Sequence, residues 1–404
     1  MKRIFETAVE LSAVLLFAVI SLNVNGCKPQ TTPSLYDPSQ QYLPNPVVDS
    51  LSPSGSALAG IDTVTIYGKN FSSDVQQELV FFNSTIVPIV SGNANRIIIK
   101  APATPGDSIA VRVTVNGALL YSPIVVYKLV AGISQFGNLK SPQVAYAVCE
   151  GPDSALYTAI SSNGVDRGIF RTTSAGISQY APATSGAIGW NGMKFGSGGY
   201  LYGVRGNRAI YRFAPGGGSN AQIWVTISSG LFLDMDFDPN QNLWVGGNSQ
   251  YIYRITPSAS IKGFPFSGNV RSVRYYNGYL YFAANVGTAP SQVFRAPVVN
   301  DSLGTPEVYF DISSDPAGGS NIYAITFSAD GNMYTGTDSS DYLIVVHPGG
   351  FVEKPYSLYV TSGVLNSPCR SFAWIGTDLY AATLSGELLK IVARKQGAPY
   401  YGLQ

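Results

Sequence analysis

Asp234, Asp236 and Asp238 alternate along the segment LDMDFDP. On an extended strand, alternation sends all three carboxylates to one side, an arrangement that would suit a calcium ion. Calcium ligands usually come from a loop that wraps the ion. The competing reading therefore makes Asp238 a turn residue, like Asp330 in FSADGN, and makes Asp234 and Asp236 channel-lining acids paired with Arg271 or Arg274. The single histidine, His347, sits at a strand end in VVHPGG with no partner motif. Neither a Ser/His/Asp triad nor a histidine-based zinc site can be assembled around it, and it reads as a turn residue. The glycine-rich PGGGSN at 215–220 is not followed by a Lys-Ser/Thr pair and a helix, so it is not a phosphate loop. No catalytic residue is assigned.

A second set of residues is better suited to binding. Gln143, Tyr146, Trp190, Asn191, Asp234, Asp236, Arg271, Arg274, Asn321, Tyr323 and Arg370 all enter short apolar strands. Aromatic faces stack on sugar rings or peptide groups, while amides and charges fix orientation through hydrogen bonds. The alternative is that about half of them pack between neighbouring sheets, a usual place for Tyr and Trp.

The elements that would position these residues form a repeat. Six times a Gly/Asp/Asn turn is followed by an apolar residue and an aromatic: Tyr157, Tyr202, Trp244, Tyr281, Tyr334 and Tyr380. A second strand follows each, carrying Phe170-Arg171, Tyr211-Arg212, Tyr253-Arg254, Phe294-Arg295, Val345-Val346 and Leu389-Lys390. Spacings of about 37 to 53 residues suit a four-stranded sheet repeated around an axis. One such sheet cannot bury both faces, so the expectation is six blades in a ring over 128–397. Binding belongs at the mouth of its channel, where the inner strands begin. The last copy lacks a fourth strand, and VYKLVAGISQF before the first copy could supply it, removing two open edges. The arginines at 171, 212, 254 and 295 then belong to the repeat and form no basic binding patch.

Composition agrees with an all-β chain. Of 404 residues only 12% are charged, the net charge is +1, and 45% are hydrophobic. There is no basic cluster for nucleic acid and too much apolar content for disorder. Long helical periods are missing after the leader. That leader has Lys2 and Arg3, an apolar stretch from Leu11 to Leu22, and then Val24-Asn25-Gly26-Cys27, which looks like a bacterial lipobox. The expectation is cleavage after residue 26, acylation of Cys27, and a lipid-anchored protein of the cell envelope, at the outer membrane. An ordinary signal peptide containing a cysteine is the alternative. Residues 28–45 form a polar, proline-containing tether, and 398–404 a C-terminal tail. Cys149 and Cys369 fall in the first and last repeats. Their offset of about three residues, roughly 10 Å, favours free thiols over a disulfide.

Residues 46–127 read as a separate β unit, and their order of features resembles the IPT/TIG family of immunoglobulin-like sandwiches. The resemblance rests on Ser52-Pro53, Gly55, Gly60, Thr65-Ile66-Tyr67-Gly68, Asn70-Phe71, Ala101-Pro102, Gly106 and the strand Val111 to Val115. In that family such units serve as spacers, dimerisation modules or ligand contacts. FDPNQNLWVG and FSADGNMYTG resemble the strand-turn-strand signature of NHL repeats and of gluconolactonase-like propellers. Gluconolactonase-like enzymes hold a divalent ion on an acid and amides. Asp234, Asn191 and Asn321 are the nearest candidates, but the usual glutamate has no match. The combination resembles surface lipoproteins of Bacteroidetes, some of which capture polysaccharide. It implies a non-enzymatic binder of glycan or an envelope protein partner, with a metal-dependent lactonase or a structural scaffold as rivals.

Overall fold

The alternation of Thr63–Lys69, in which Val64, Ile66 and Gly68 are buried and the residues between them are not, sets the pattern for the N-terminal sandwich. The computed structural model describes residues 41–184, 189–315 and 318–404; the leader and Cys27 lie outside them. One sheet runs Val47–Ser52, Thr63–Lys69, Arg96–Lys100, Ile89–Asn93. The other runs Ser56–Leu58, Val125–Val130, Gly106–Val115, Glu78–Phe82, Thr85–Val87. Val64, Ile66, Ile97 and Ile99 of the first face Val80, Val111, Val113 and Leu129 of the second in one core. Gly68 of the YGKNF run has a physical reason. A Cβ there would lie 2.0 Å from the Val47 carbonyl oxygen and 2.3 Å from the Phe71 ring.

After Val130 the chain enters the propeller within a few residues. Its first blade is Gln143–Glu150, Leu156–Ser162, Val165–Thr173, Gly176–Ala181. The second is Gly192–Phe195, Leu201–Val204, Ala209–Phe213, Gln222–Thr226. The third and fourth run together, because Leu243–Ile255 and Ile261–Tyr276 are long strands that each serve two pairings. The fourth blade continues through Tyr279–Asn285, Gln292–Val299 and Glu307–Asp311. The fifth is Ile322–Phe327, Met333–Thr337, Leu343–Val346, Val352–Glu353. The sixth comprises Cys369–Ile375, Asp378–Thr383 and Leu388–Val392, with Ile133–Gln135 from before the first blade as its outermost strand. Strands from both ends of the repeat region thus seal the ring. Only the ISQ part of the expected closing segment takes this place; VVYKLV belongs to the sandwich.

The repeated phrase is a register device. Tyr157, Tyr202, Tyr281, Tyr334 and Tyr380 lie directly across from Arg171, Arg212, Arg295, Val345 and Lys390. On their other side they face the inner strands, where Cys149, Lys194, Arg274, Thr326 and Ala373 occupy the matching positions, with Asp236 opposite Trp244. Four tyrosines also lock one blade to the next. Tyr157 meets Phe195, Tyr202 meets Phe237, Tyr281 meets Phe327 and Tyr334 meets Trp374, with centroids 4.6–5.4 Å apart. The repeat arginines are occupied locally. Arg171 pairs with Asp153 at 2.6 Å, Arg295 with Glu307 at 2.7 Å and Arg254 with Asp301 at 3.9 Å, while Arg212 lies over Tyr200.

Sandwich and propeller meet through polar contacts. Tyr359, in the short helix Ser357–Thr361, donates to the Ala59 carbonyl at 2.7 Å, and Arg394 pairs with Asp62 at 2.8 Å. Among the described residues no helix is long and apolar enough to cross a membrane. Cys149 and Cys369 are both buried and unpaired.

Candidate functional site

The inner strand of each blade has a neighbour on one side only, so its channel-side backbone needs other partners. Side chains of adjacent blades supply them. Asp234 accepts from Val273 N at 3.0 Å, Asp236 from Tyr275 N at 2.9 Å, Ser272 Oγ from Ile325 N at 3.1 Å and Ser371 Oγ from Val148 N at 3.1 Å. Five of the six inner strands also carry a register shift just before these positions. Such bulges re-aim the residues at the strand's start.

At the upper mouth, where the inner strands begin, Asn191, Leu233, Arg271, Tyr323, Arg370 and Leu384 line a cavity of about 180 Å³. Tyr146 lies beside them, its ring under the Arg370 guanidinium at 4.3 Å. Arg271 is arranged likewise over Tyr323 at 5.0 Å. Its Nε donates to Asn285 Oδ1 at 3.3 Å and its Nη2 to Asn321 Oδ1 at 3.2 Å, and Asn321 donates in turn to Asp338 at 2.7 Å. Burial pushes the Tyr323 phenol up, and the nearby Asp338 carboxylate adds to it. Burial also holds Arg370 below its usual value, with Tyr146 opposing. Arg271 extends into an adjoining groove of about 370 Å³ whose walls include Asn269, Asn285, Thr288, Ser320 and Asn321.

The other end of the channel is closed. Glu150, Lys194, Asp236, Arg274, Thr326 and Tyr400 surround a cavity of about 50 Å³. Residues 397–402 cross beneath it: Ala398 N donates to the Phe327 carbonyl at 2.9 Å, Tyr400 Oη donates to the Phe195 carbonyl, and Gln241 Nε2 donates to the Tyr401 carbonyl at 2.6 Å. The segment read from sequence as a tail is therefore a floor. Lys194 Nζ stands 3.7 Å from Asp236 Oδ1 and 4.9 Å from the Tyr400 ring centroid. Burial lowers the Lys194 pKa, the Arg274 charge lowers it further, and Asp236 and Asp234 act against both. Burial raises Glu150, with Lys194 opposing.

Of the eleven residues assigned from sequence to the mouth, the structure brings six together there: Tyr146, Asn191, Arg271, Asn321, Tyr323 and Arg370. Five lie elsewhere. Gln143 does not line that cavity; its Oε1 accepts from Lys140 N at 3.1 Å in the turn before the first blade. Trp190 is fully buried between the first two blades, edge-on to Tyr211 and Phe213 at 5.3 and 5.2 Å. Asp234 is buried deeper in the channel, taking bonds from Ser272 Oγ at 2.9 Å and Arg274 Nη1 at 2.8 Å. Asp236 and Arg274 belong to the closed end. The three aspartates of LDMDFDP do not converge on one point, because Asp238 sits in its turn and accepts from Asn240 N, Asn242 N and Trp244 Nε1. Among the described residues there is no group of three or more His, Cys, Asp or Glu able to hold a metal ion. His347 lies in a hairpin, 2.8 Å from Glu353. Leu233, Leu384 and the groove asparagines Asn269 and Asn285 were not singled out from sequence. A signal for Leu233 existed: the mouth residues 146, 191, 233, 271, 323 and 370 each stand three before the inner-strand residue opposite a repeat aromatic.

Comparison with known proteins agrees with this architecture. Residues 46–128 match the IPT/TIG domain family. The chain matches no curated protein with which it was compared. Among solved structures it is similar to a putative phosphatase from Bacteroides thetaiotaomicron VPI-5482, at 13% identity and TM-score 0.54, over 88% of this chain and 98% of that one. It is also similar to an auxiliary nutrient binding protein from the same strain, at 12% identity and TM-score 0.50, over 88% and 98%. A gluconolactonase from Xanthomonas campestris aligns at 11% identity and TM-score 0.48, over 71% and 90%. At such identities the likeness is one of fold. The chain is all-β, an immunoglobulin-like IPT/TIG sandwich followed by a six-bladed propeller.

Proposed function

We propose that this protein is a lipid-anchored envelope protein whose propeller binds a glycan, without catalysis, at the upper mouth of its channel. The observation that carries this reading is the amide-rich groove beside the mouth, where Asn269, Asn285 and Asn321 gather around Arg271. An amide both donates and accepts, which matches the alternating demands of sugar hydroxyls. The open cavity of about 180 Å³ argues against a purely structural scaffold. The acids of LDMDFDP already serve protein donors, which argues against a lactonase that would hold its metal on them. One structure of similar fold is that of an auxiliary nutrient binding protein and another that of a putative phosphatase, so the fold itself does not choose between binding and chemistry. Anchoring rests on the lipobox that ends at Cys27, and the outer membrane is the compartment proposed.

The test is calorimetric titration of the detergent-solubilised protein with an oligosaccharide panel, with and without chelator. Saturable binding that survives EDTA and weakens about tenfold in Asn321→Ala supports the reading. Absence of binding across the panel, or EDTA-sensitive turnover of a saccharide or lactone, refutes it. For the anchor, a radiolabelled fatty acid should enter the wild-type chain and not Cys27→Ala.

A further inference from the structure

Four propeller guanidiniums, those of Arg171, Arg254, Arg274 and Arg295, are matched by acids. Arg274 meets Asp234 at 2.8 Å, and Arg254 has Asp301. The two at the upper mouth are different. Among the described residues Arg271 bonds the neutral amides of Asn285 and Asn321 and lies over the Tyr323 ring, and the Asp338 carboxylate is linked to it through Asn321 without pairing with it directly. Arg370 packs on the Tyr146 ring and forms no ion pair with any described carboxylate. Both line the same cavity, together with Asn191, Leu233, Tyr323 and Leu384, none of which is acidic. A half-buried cation without a counter-ion is costly, and removing it is ordinarily neutral or stabilising. Two such cations facing one cavity mark a place where the missing negative charge arrives with a ligand.

The two tyrosines give a second observation. Sequence reading offered them as platforms for sugar rings, yet Tyr146 has Arg370 over its ring, and a Cβ at Gly189 would come within 3.0 Å of it. Tyr323 likewise lies beneath Arg271. A ring stacked on a guanidinium holds its plane in place and leaves the outward N–H groups to bind oxygen pairs. The mouth is thus built as a cationic fork, with the rings as its supports.

We propose that Arg271 and Arg370 bind an anionic group of the ligand, so that the glycan taken by this mouth is an acidic one, bearing carboxylates or sulfate esters. Neutral portions of the same chain would lie in the asparagine groove beside Arg271. This rests on the glycan reading given above, but the anion requirement can be tested apart from it. Burial that lowers Arg370 disfavours its charge in the free protein, and a bound anion would relieve that penalty.

The experiment titrates the full-length protein with four probes: tetragalacturonate, its neutral methyl ester, a sulfated chondroitin disaccharide, and inorganic sulfate. Each is repeated on Arg271→Gln and Arg370→Gln, with thermal unfolding of the free proteins alongside. The expected result is binding of at least one acidic saccharide, roughly ten- to a hundred-fold weaker in either variant and weaker again at high salt. The tetragalacturonate and chondroitin arms separate carboxylate from sulfate recognition. The free Arg370→Gln protein should melt at or above the wild-type temperature. Equal binding of the methyl ester overturns the anion inference and leaves the glycan reading standing. Arginine-dependent binding of sulfate without any saccharide binding upholds the anion inference and overturns the glycan reading. No arginine-dependent binding in any arm, or a fall of several degrees in the melting of free Arg370→Gln, overturns the inference.

Discussion

Asp234 offers the sharpest test of how the channel is built. Its Oδ2 accepts from Ser272 Oγ at 2.9 Å, Val273 N at 3.0 Å and Arg274 Nη1 at 2.8 Å, and the residue is only 8% exposed. Asp234→Ala takes the acceptor from all three donors at once and leaves the Arg274 guanidinium buried with the more distant Asp236. Breaking a buried ion pair from one side costs about 3–5 kcal/mol. At about 3 °C per kcal/mol for a unit of this size, Tm should fall by roughly 9–15 °C. Asp234→Asn keeps an acceptor for Ser272 and Val273 and should lose about half as much. In Asp234→Ala/Arg274→Met the stranded charge is gone, so the two losses should fail to add by about 2 kcal/mol. Thermal unfolding of the wild type, Asp234→Ala, Arg274→Met and the double variant by circular dichroism reads the cycle. A drop in Tm of less than about 3 °C in Asp234→Ala, or strict additivity in the double variant, would refute the reasoning. Either result would also revive Asp234 as a functional acid, since a residue held for ligand or metal is not needed for stability.

Four further outcomes are expected. Cys149 and Cys369 are buried and their thiols are pushed up to about 12, so neither should react with an aromatic disulfide reagent at pH 8 until the protein unfolds. The folded pKa lies above the ordinary 9.0, so their contribution is intact below pH 9 and is lost as pH rises toward about 12; Cys149→Ala/Cys369→Ala should flatten that part of the alkaline stability profile. Tyr400→Ala removes the ring under Lys194 and the bond to the Phe195 carbonyl, and should cost about 2–4 kcal/mol, measurable by calorimetry; an unchanged melting temperature would mean that 397–402 is no floor. A Cβ at Gly336 would stand 1.9 Å from the Cys369 carbonyl oxygen, so Gly336→Ala should lower expression of folded protein and its melting temperature, by about 3 kcal/mol or more.

The repeat was legible because its information is local. A tight turn followed by an alternating strand needs only neighbours in sequence, and the aromatic with its later Arg or Lys marks two strands that pair in register, as Tyr157 does with Arg171. The same holds for the sandwich, where Thr63–Lys69 displays its inward face directly. The site was harder to read. Period-two alternation breaks at the bulges of the inner strands, so Leu233 reaches the mouth while Asp234 turns toward Arg274. Trp190 precedes its strand by two residues, and its direction is decided by Tyr211 and Phe213 of the same blade. Whether Tyr146 and Tyr323 are free platforms depends on where Arg370 and Arg271 fall, and those come from other blades.

By itself, then, the sequence determined the all-β class, the six-fold repeat, the sandwich before it and the closure of the ring by chain from before the first copy, though of VYKLVAGISQF only Ile133–Gln135 takes that place; each depends on turn chemistry, alternation and the cost of an open edge. The tertiary structure decided depth along the channel and partnership across it: which acids are spent on neighbouring strands, which end residues 397–402 seal, and which two arginines come to face one cavity without an acid in its lining. Those properties arise from side chains on different blades, far apart in sequence. They exist only when the ring closes and sets the register between blades.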